Sequence, residues 1–170
     1  MTLDDRSAPG APGPRWRRRR SLAVGLLTAA IWFLLDQQTK YLAVAQLQPP
    51  GRKVELPGPL TWQLTLNDGG AFGLPAPRWF FLVVTAVVVV WVLRTLPDVI
   101  SDLQAMAFGF LLAGATGNAA DRLFRDDQRV VDFIASDRWP TFNVADIAIS
   151  IGFVLLVTQL LTEDRRQGTA

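Results

Sequence analysis

Four stretches of the chain are apolar over lengths that suit a membrane span. They run from Ser21 to about Ala45, from about Pro77 to Leu96, from about Leu103 to Phe124, and from about Phe142 to Leu161. A spanning helix needs roughly 20 predominantly apolar residues, so each stretch predicts one. The second is apolar almost throughout, whereas the other three carry polar residues inside. The segments between them read differently. Residues Leu60 to Leu66 alternate between apolar and polar positions after a Pro57-Gly58-Pro59 turn, and Arg129 to Ile134 contains a second short alternating run. That period of two predicts strands. The expected fold is mainly α: a polytopic membrane protein of four transmembrane helices with a small β-sheet on one side.

Charge orients this arrangement. Arg15, Arg17, Arg18, Arg19 and Arg20 precede the first apolar stretch. A basic run beside a span marks the cytoplasmic side, and that reading is preferred to a nucleic-acid patch. The first stretch is read as a retained span and not a cleaved leader, since it has no clear small-residue cleavage site. Four spans return the C-terminus, with Arg165 and Arg166, to the same side. The expected organisation is a disordered basic cytoplasmic tail over residues 1–20, a membrane domain over 21–162, and a cytoplasmic tail over 163–170. The two longer connections, and hence the sheet, are extracytoplasmic. Trp62, Trp79 and Trp139 fall near the outer ends of the spans, as an interfacial aromatic belt would.

The interrupting polar residues share one depth. A helix rises 1.5 Å per residue, which puts Asp36 about 22 Å and Lys40 about 28 Å beyond Ser21. Both lie in the outer part of the bilayer. Asn118, Asp121 and Arg122 lie about 22 to 29 Å beyond Leu103 on another outward-running span. Asn143 and Asp146 stand in the first turns of the fourth span, with Asp132 and Asn67 in the outer segments. Intramembrane charges are costly and face the protein interior. A path for ions across the bilayer would spread them through its thickness, whereas these converge at one face.

The residue inventory narrows the chemistry. Histidine and cysteine are both absent. This excludes a Ser-His-Asp triad, a thiol nucleophile and an HExxH zinc site, and neither metal nor cofactor is expected. Asp36 and Lys40 share a helical face and can pair. Asp121 and Arg122 also read as a structural ion pair. Asp132 and Asp146 have no basic residue three or four positions away on a helix. Two aspartates sharing a partly dry site cannot both ionise easily; one keeps a proton while the other keeps its charge. Such a pair can activate water and donate to a scissile carbonyl. Two solvated interfacial aspartates are the alternative. Asn67-Asp68-Gly69-Gly70 reads as a turn, and Gly109, Gly114 and Gly117 read as contacts for close helix packing.

Five blocks carry a family resemblance. They are Asp36-Gln37-Gln38-Thr39-Lys40, Asn67-Asp68-Gly69-Gly70-Ala71-Phe72, Gly114 to Arg122, Val130-Val131-Asp132-Phe133 and Phe142-Asn143-Val144-Ala145-Asp146. In this order the chain resembles the lipoprotein signal peptidases, or signal peptidase II. The resemblance implies a bacterial inner-membrane aspartic endopeptidase, multi-pass, with both termini cytoplasmic and an extracytoplasmic active site. Its substrates would be diacylglyceryl-modified prolipoproteins, cut just before the lipidated cysteine, and globomycin-type peptides would inhibit it. Asp132 and Asp146 match the family's catalytic pair. Asp36, Lys40, Asn67, Gly69, Asn118, Asp121, Arg122 and Asn143 match its supporting and substrate-holding positions. Small residues on the third span would help form an apolar groove for the acyl chains of membrane-held substrate. An intramembrane protease of the presenilin kind fits less well, because its GxGD signature is absent. A small transporter fits the one-sided depth of the charges poorly.

Overall fold

The computed structural model describes residues 14–47, 52–69 and 76–167. Four long helices carry the chain: α1 (Arg15–Leu47), α2 (Arg78–Thr95), α3 (Asp102–Phe124) and α4 (Val144–Gln167). Four short strands, β1 (Lys53–Glu55), β2 (Leu60–Asn67), β3 (Val130–Ser136) and β4 (Trp139–Phe142), form one antiparallel sheet in the order β1-β2-β3-β4. Both long connections, α1 to α2 and α3 to α4, feed this sheet, so it sits at one end of the bundle. The third connection is a single 3₁₀ turn at Leu96–Asp98 at the opposite end.

Three helices, Arg15–Leu47, Arg78–Asp98 (which takes in the 3₁₀ turn) and Val144–Thr162, are long and apolar enough to cross a membrane. The fourth, α3, is 23 residues long and is the most enclosed, with twelve of its residues buried from Ala105 to Arg122. It packs against α1, α2 and α4, so its polar side chains meet protein and not lipid. By contrast, α2 buries only Val92, and Val83, Val84, Val87 and Leu93 face outward. Apolar side chains turned outward suit a lipid surround. The core at the end away from the sheet gathers Val92, Leu96, Val99, Ala105 and Phe108. The Trp32 ring stands edge-on to Phe110 with centroids 5.0 Å apart, and Trp91 stands edge-on to Phe108 at 5.2 Å.

Helix α1 begins at Arg15, six residues before the expected start of the membrane domain at Ser21. Its 33 residues span about 50 Å, longer than the hydrocarbon core, so its arginine-rich first turns extend past the apolar zone. Arginine is a good helix former. Arg18 also reaches Asp98 at 2.6 Å and Arg20 reaches Asp102 at 2.7 Å, anchoring that end to the α2–α3 connection. Helix α4 likewise runs to Gln167, beyond the expected boundary at 162. Residues 1–13 of the basic tail and Gly70 to Phe72 of the glycine motif lie outside the described residues.

The small residues of α3 prove to be covered. A Cβ on Gly114 would collide with the Ala145 carbonyl oxygen and the Ile149 side chain of α4. Among the described residues the stripe therefore offers no open groove for acyl chains, because α1 closes over Gly109 and α4 over Gly114 at backbone distance.

Candidate active site

The sheet presents two unlike faces. Val131 and Phe133 of β3 pack with Ala43 and Leu47 at the end of α1, joined by Trp62, Leu64 and Leu66 of β2. Side chains alternate across a strand, so Asp132 points the other way, as do Thr65 and Asn67. The strands are antiparallel, with Thr65 opposite Asp132 and Asn67 opposite Val130. On that polar face lies a cleft of about 750 Å³, lined by Thr65, Asn67, Gly69, Pro77, Asp132 and Thr141 among others.

Asp132 is almost fully buried. Its Oδ1 accepts from Asn143 Nδ2 at 2.7 Å and its Oδ2 from Asn67 Nδ2 at 2.9 Å. Burial, and then the nearby charge of Asp146, push its carboxyl up to about 7 from an ordinary 3.8; the two amide donors oppose that rise.

Asp146 lies in the first turn of α4. The sequence reading put Asn143 in the helix as well, but it is the cap preceding it. Its Oδ1 accepts the Asp146 N–H at 3.0 Å, while Asp146 Oδ2 accepts the Asn143 N–H at 3.2 Å. This reciprocal pair is a capping box, with aspartate in place of the usual glutamate. Asn118 Nδ2 donates to Asp146 Oδ1 at 2.9 Å. Asn143 therefore touches both aspartates, through its side chain on one and its backbone on the other. Among the described residues neither aspartate makes an ion pair, as their spacing from basic residues led us to expect.

The cations are committed elsewhere. Lys40 is 1% exposed, and its Nζ lies 2.8 Å from Asp36 Oδ2, 2.9 Å from Asp121 Oδ2 and 3.1 Å from Asn118 Oδ1. The expected Asp36–Lys40 pair is present. The expected Asp121–Arg122 pair is not: adjacent residues on a helix diverge by about 100°, and Asp121 turns instead to Lys40 and to the Val131 N–H at 3.1 Å. Arg122 donates to the carbonyls of Gly69 at 2.7 Å and Asn118 at 3.2 Å, with its guanidinium 4.6 Å from the Phe81 ring centre. Gly69 in turn gives its N–H to Asn67 Oδ1 at 2.9 Å. Asp36 Oδ1 accepts the Ala145 N–H at 2.8 Å, an anion placed on the open amides at the start of α4.

All ten candidate residues thus fall in one hydrogen-bonded cluster at the sheet end of the bundle. Sequence reasoning missed two participants. Gln37 donates to Asp36 and to the Gly117 carbonyl, and Phe81 receives the Arg122 cation. Gln37 lay inside a quoted motif and one turn from Lys40, which was a usable signal. Phe81 sat in a uniformly apolar span and carried none.

The chain has counterparts among known proteins. A family model described as Signal peptidase (SPase) II matches residues 28–162. The chain is similar to the lipoprotein signal peptidase of Mycobacterium tuberculosis (strain ATCC 25618 / H37Rv), at 39% identity over 155 residues, covering 88% of this chain and 74% of that one. With the lipoprotein signal peptidase of Rhodococcus jostii (strain RHA1) it shares 38% over 172 residues, or 98% and 85% of the two chains. A solved bacterial membrane enzyme, determined by the in meso method at 2.3 Å, superposes with a TM-score of 0.76 at 29% identity over 84% of this chain and 90% of its own. The chain belongs to the signal peptidase II family and is a multi-pass bacterial membrane protease of the lipoprotein signal peptidase type.

Proposed function

We propose that this protein is an aspartic endopeptidase that frees signal peptides from diacylglyceryl-modified prolipoproteins, using Asp132 and Asp146 as its catalytic pair. The observation that carries the reading is the Asn143 bridge: one residue donates to Asp132 at 2.7 Å and to Asp146 at 3.2 Å, while the buried cation Lys40 is ion-paired with Asp36 and Asp121. The raised carboxyl of Asp132 suits it to hold the single proton that such a pair keeps near neutrality.

In this mechanism the ionised partner takes a proton from water as the water oxygen attacks the scissile carbonyl carbon. The protonated partner donates to the carbonyl oxygen, giving a tetrahedral diol. Collapse breaks the C–N bond, and a proton passes from the pair to the departing amine of the lipidated cysteine. The cleft on the polar face offers room for an extended peptide beside Asp132. The site lies at the end of the bundle opposite the Arg15–Arg20 run. With that run cytoplasmic, the site is extracytoplasmic and both termini are inside. Two acyl chains then hold the substrate in the bilayer with its cleavage point at the level of the pair, which gives the lipid requirement a physical reason. Globomycin-type peptides would act by occupying the same cleft.

The test is cleavage of a diacylglyceryl-modified prolipoprotein by the purified protein in lipid, beside the unlipidated precursor. Wild type should cut the lipidated form before its cysteine, and folded Asp132→Asn and Asp146→Asn variants should not. Cleavage surviving in either variant would reject the pair.

A further inference from the structure

Three asparagines surround the two aspartates, and each turns its NH₂ group toward a carboxylate. An asparagine side chain can be reversed at little cost in shape, so its direction depends on what holds its oxygen. Asn67 Oδ1 is held by the backbone N–H of Gly69, and Asn143 Oδ1 by the backbone N–H of Asp146. Backbone donors cannot reverse, so these two amides are set by the chain's own path. Asn118 differs. No backbone donor to its oxygen is seen among the described residues; that oxygen accepts from Lys40 Nζ at 3.1 Å and Asn143 Nδ2 at 3.0 Å.

Lysine carries three donors and no acceptor. All three hydrogens of Lys40 have acceptors: Asp36, Asp121 and Asn118. Its third hydrogen can be met only by an oxygen, which forces the Asn118 NH₂ the other way, onto Asp146 Oδ1 at 2.9 Å. We infer that Lys40 is a positioning residue for the reaction, which fixes the direction of the Asn118 amide and thereby presents a donor to Asp146. The inference rests on the catalytic pair proposed above. The Asn143 amide supports the same direction, but the charge-assisted bond from Lys40 is the stronger of the two. Among the described residues Lys40 itself makes no hydrogen bond or ion pair with either aspartate of the pair, and it is buried.

Two variants test this in lipid, with substrate binding and thermal unfolding as checks on folding. Lys40→Gln keeps amide donors for Asp36 and Asp121 but adds an acceptor, so the Asn118 amide is free to reverse. Its kcat should fall about tenfold or more, with KM within about twofold of wild type. A folded Lys40→Gln with unchanged kcat overturns the inference, as does one whose KM alone rises, because Lys40 would then be holding substrate. Asn118→Asp gives the answer if Lys40→Gln does not fold. Lys40 would hold one of its oxygens and the other would face Asp146, adding negative charge to a site already ringed by Asp36 and Lys40 of α1, Asp121 and Arg122 of α3, and Asp132 of β3. The pH at which kcat is lost should rise by a unit or more, and an unmoved profile overturns the inference. Asp132→Asn and Asp146→Asn run alongside. Activity in those two removes the catalytic pair and this inference with it; loss in both, beside a normal Lys40→Gln, removes this inference alone.

Discussion

Gly117 and Asp36 meet where no side chain would fit between them. A Cβ built on Gly117 lies 2.6 Å from Asp36 Oδ2 and 3.2 Å from its carboxyl carbon, with the Ala145 methyl 3.3 Å away on the far side. The carboxylate that holds Lys40 and caps α4 thus occupies space that α3 leaves empty. Gly117→Ala would push Asp36 off both partners. We expect a loss of about 1–3 kcal/mol, the range for an overpacked core, and a marked fall in cleavage. Thermal unfolding in lipid and the peptidase assay check the two halves; an alanine variant as stable and active as wild type would mean that α1 and α3 part easily here.

The raised carboxyl of Asp132 gives stability, and on the mechanism proposed above also activity, a defined pH dependence. In the folded protein this group titrates at about 7, against an ordinary 3.8. The folded state therefore binds the proton more tightly than the unfolded chain does. The stabilising contribution is fully present below about pH 4 and is lost as pH rises to about 7. The Asp132→Asn variant lacks this titration. The stability difference between variant and wild type should thus move in the variant's favour across that window, with an upper bound of ~4 kcal/mol for a shift of this size. Activity of the wild type should fall as pH passes through about 7 and the shared proton leaves. Parallel melting curves at pH 4.5, 6 and 8 distinguish this from a general effect of pH.

Buried and exposed ion pairs at opposite ends of α1 should differ sharply in worth. Asp36 is paired with Lys40 at 2.8 Å, with both side chains at most 2% exposed. Asp36→Asn leaves Lys40 short of one counter-charge and weakens the cap on α4. Removing one partner of a buried pair costs about 3–5 kcal/mol. The Arg18–Asp98 pair is 33% and 71% exposed, and Arg18→Ala should cost under ~1 kcal/mol and lose that effect in high salt. Unfolding temperatures of the two variants, at low and high salt, provide the comparison. Equal losses would show that the arginine-rich end of α1 is held as tightly as the end at the sheet.

Much of the architecture was legible in advance because membrane insertion leaves few options. Backbone groups in hydrocarbon must be satisfied within the segment, so four apolar stretches became four helices, with ends within about six residues of those expected. Alternation at Leu60–Leu66 marked β2, and the depth arithmetic brought Asp36, Lys40, Asn118, Asp121, Asp132 and Asp146 to one end before any contact was seen. The errors were local. Asp121 was assigned to its neighbour Arg122, although consecutive helical residues face different ways. Asn143 was placed in a helix it only caps, despite the asparagine and acidic residue three apart that mark a capping box. The helical start at Arg15 was hidden because proline and charge together read as tail.

The sequence by itself determined the membrane class, the common depth of the polar residues, the lack of histidine and cysteine chemistry, and two aspartates with no basic residue three or four positions away on a helix. These follow from hydropathy, helical rise and residue type, which are properties of single segments. Tertiary structure alone decided which donor each carboxylate meets: Lys40 taking Asp36 and Asp121, Arg122 turning to Gly69 and Phe81, and Asn143 joining Asp132 to Asp146. Those choices depend on how α3 rotates between α1 and α4 and on which face of β3 meets the bundle. Such rotations are set by packing between elements, including the bare backbone at Gly114 and Gly117, and no single segment encodes them.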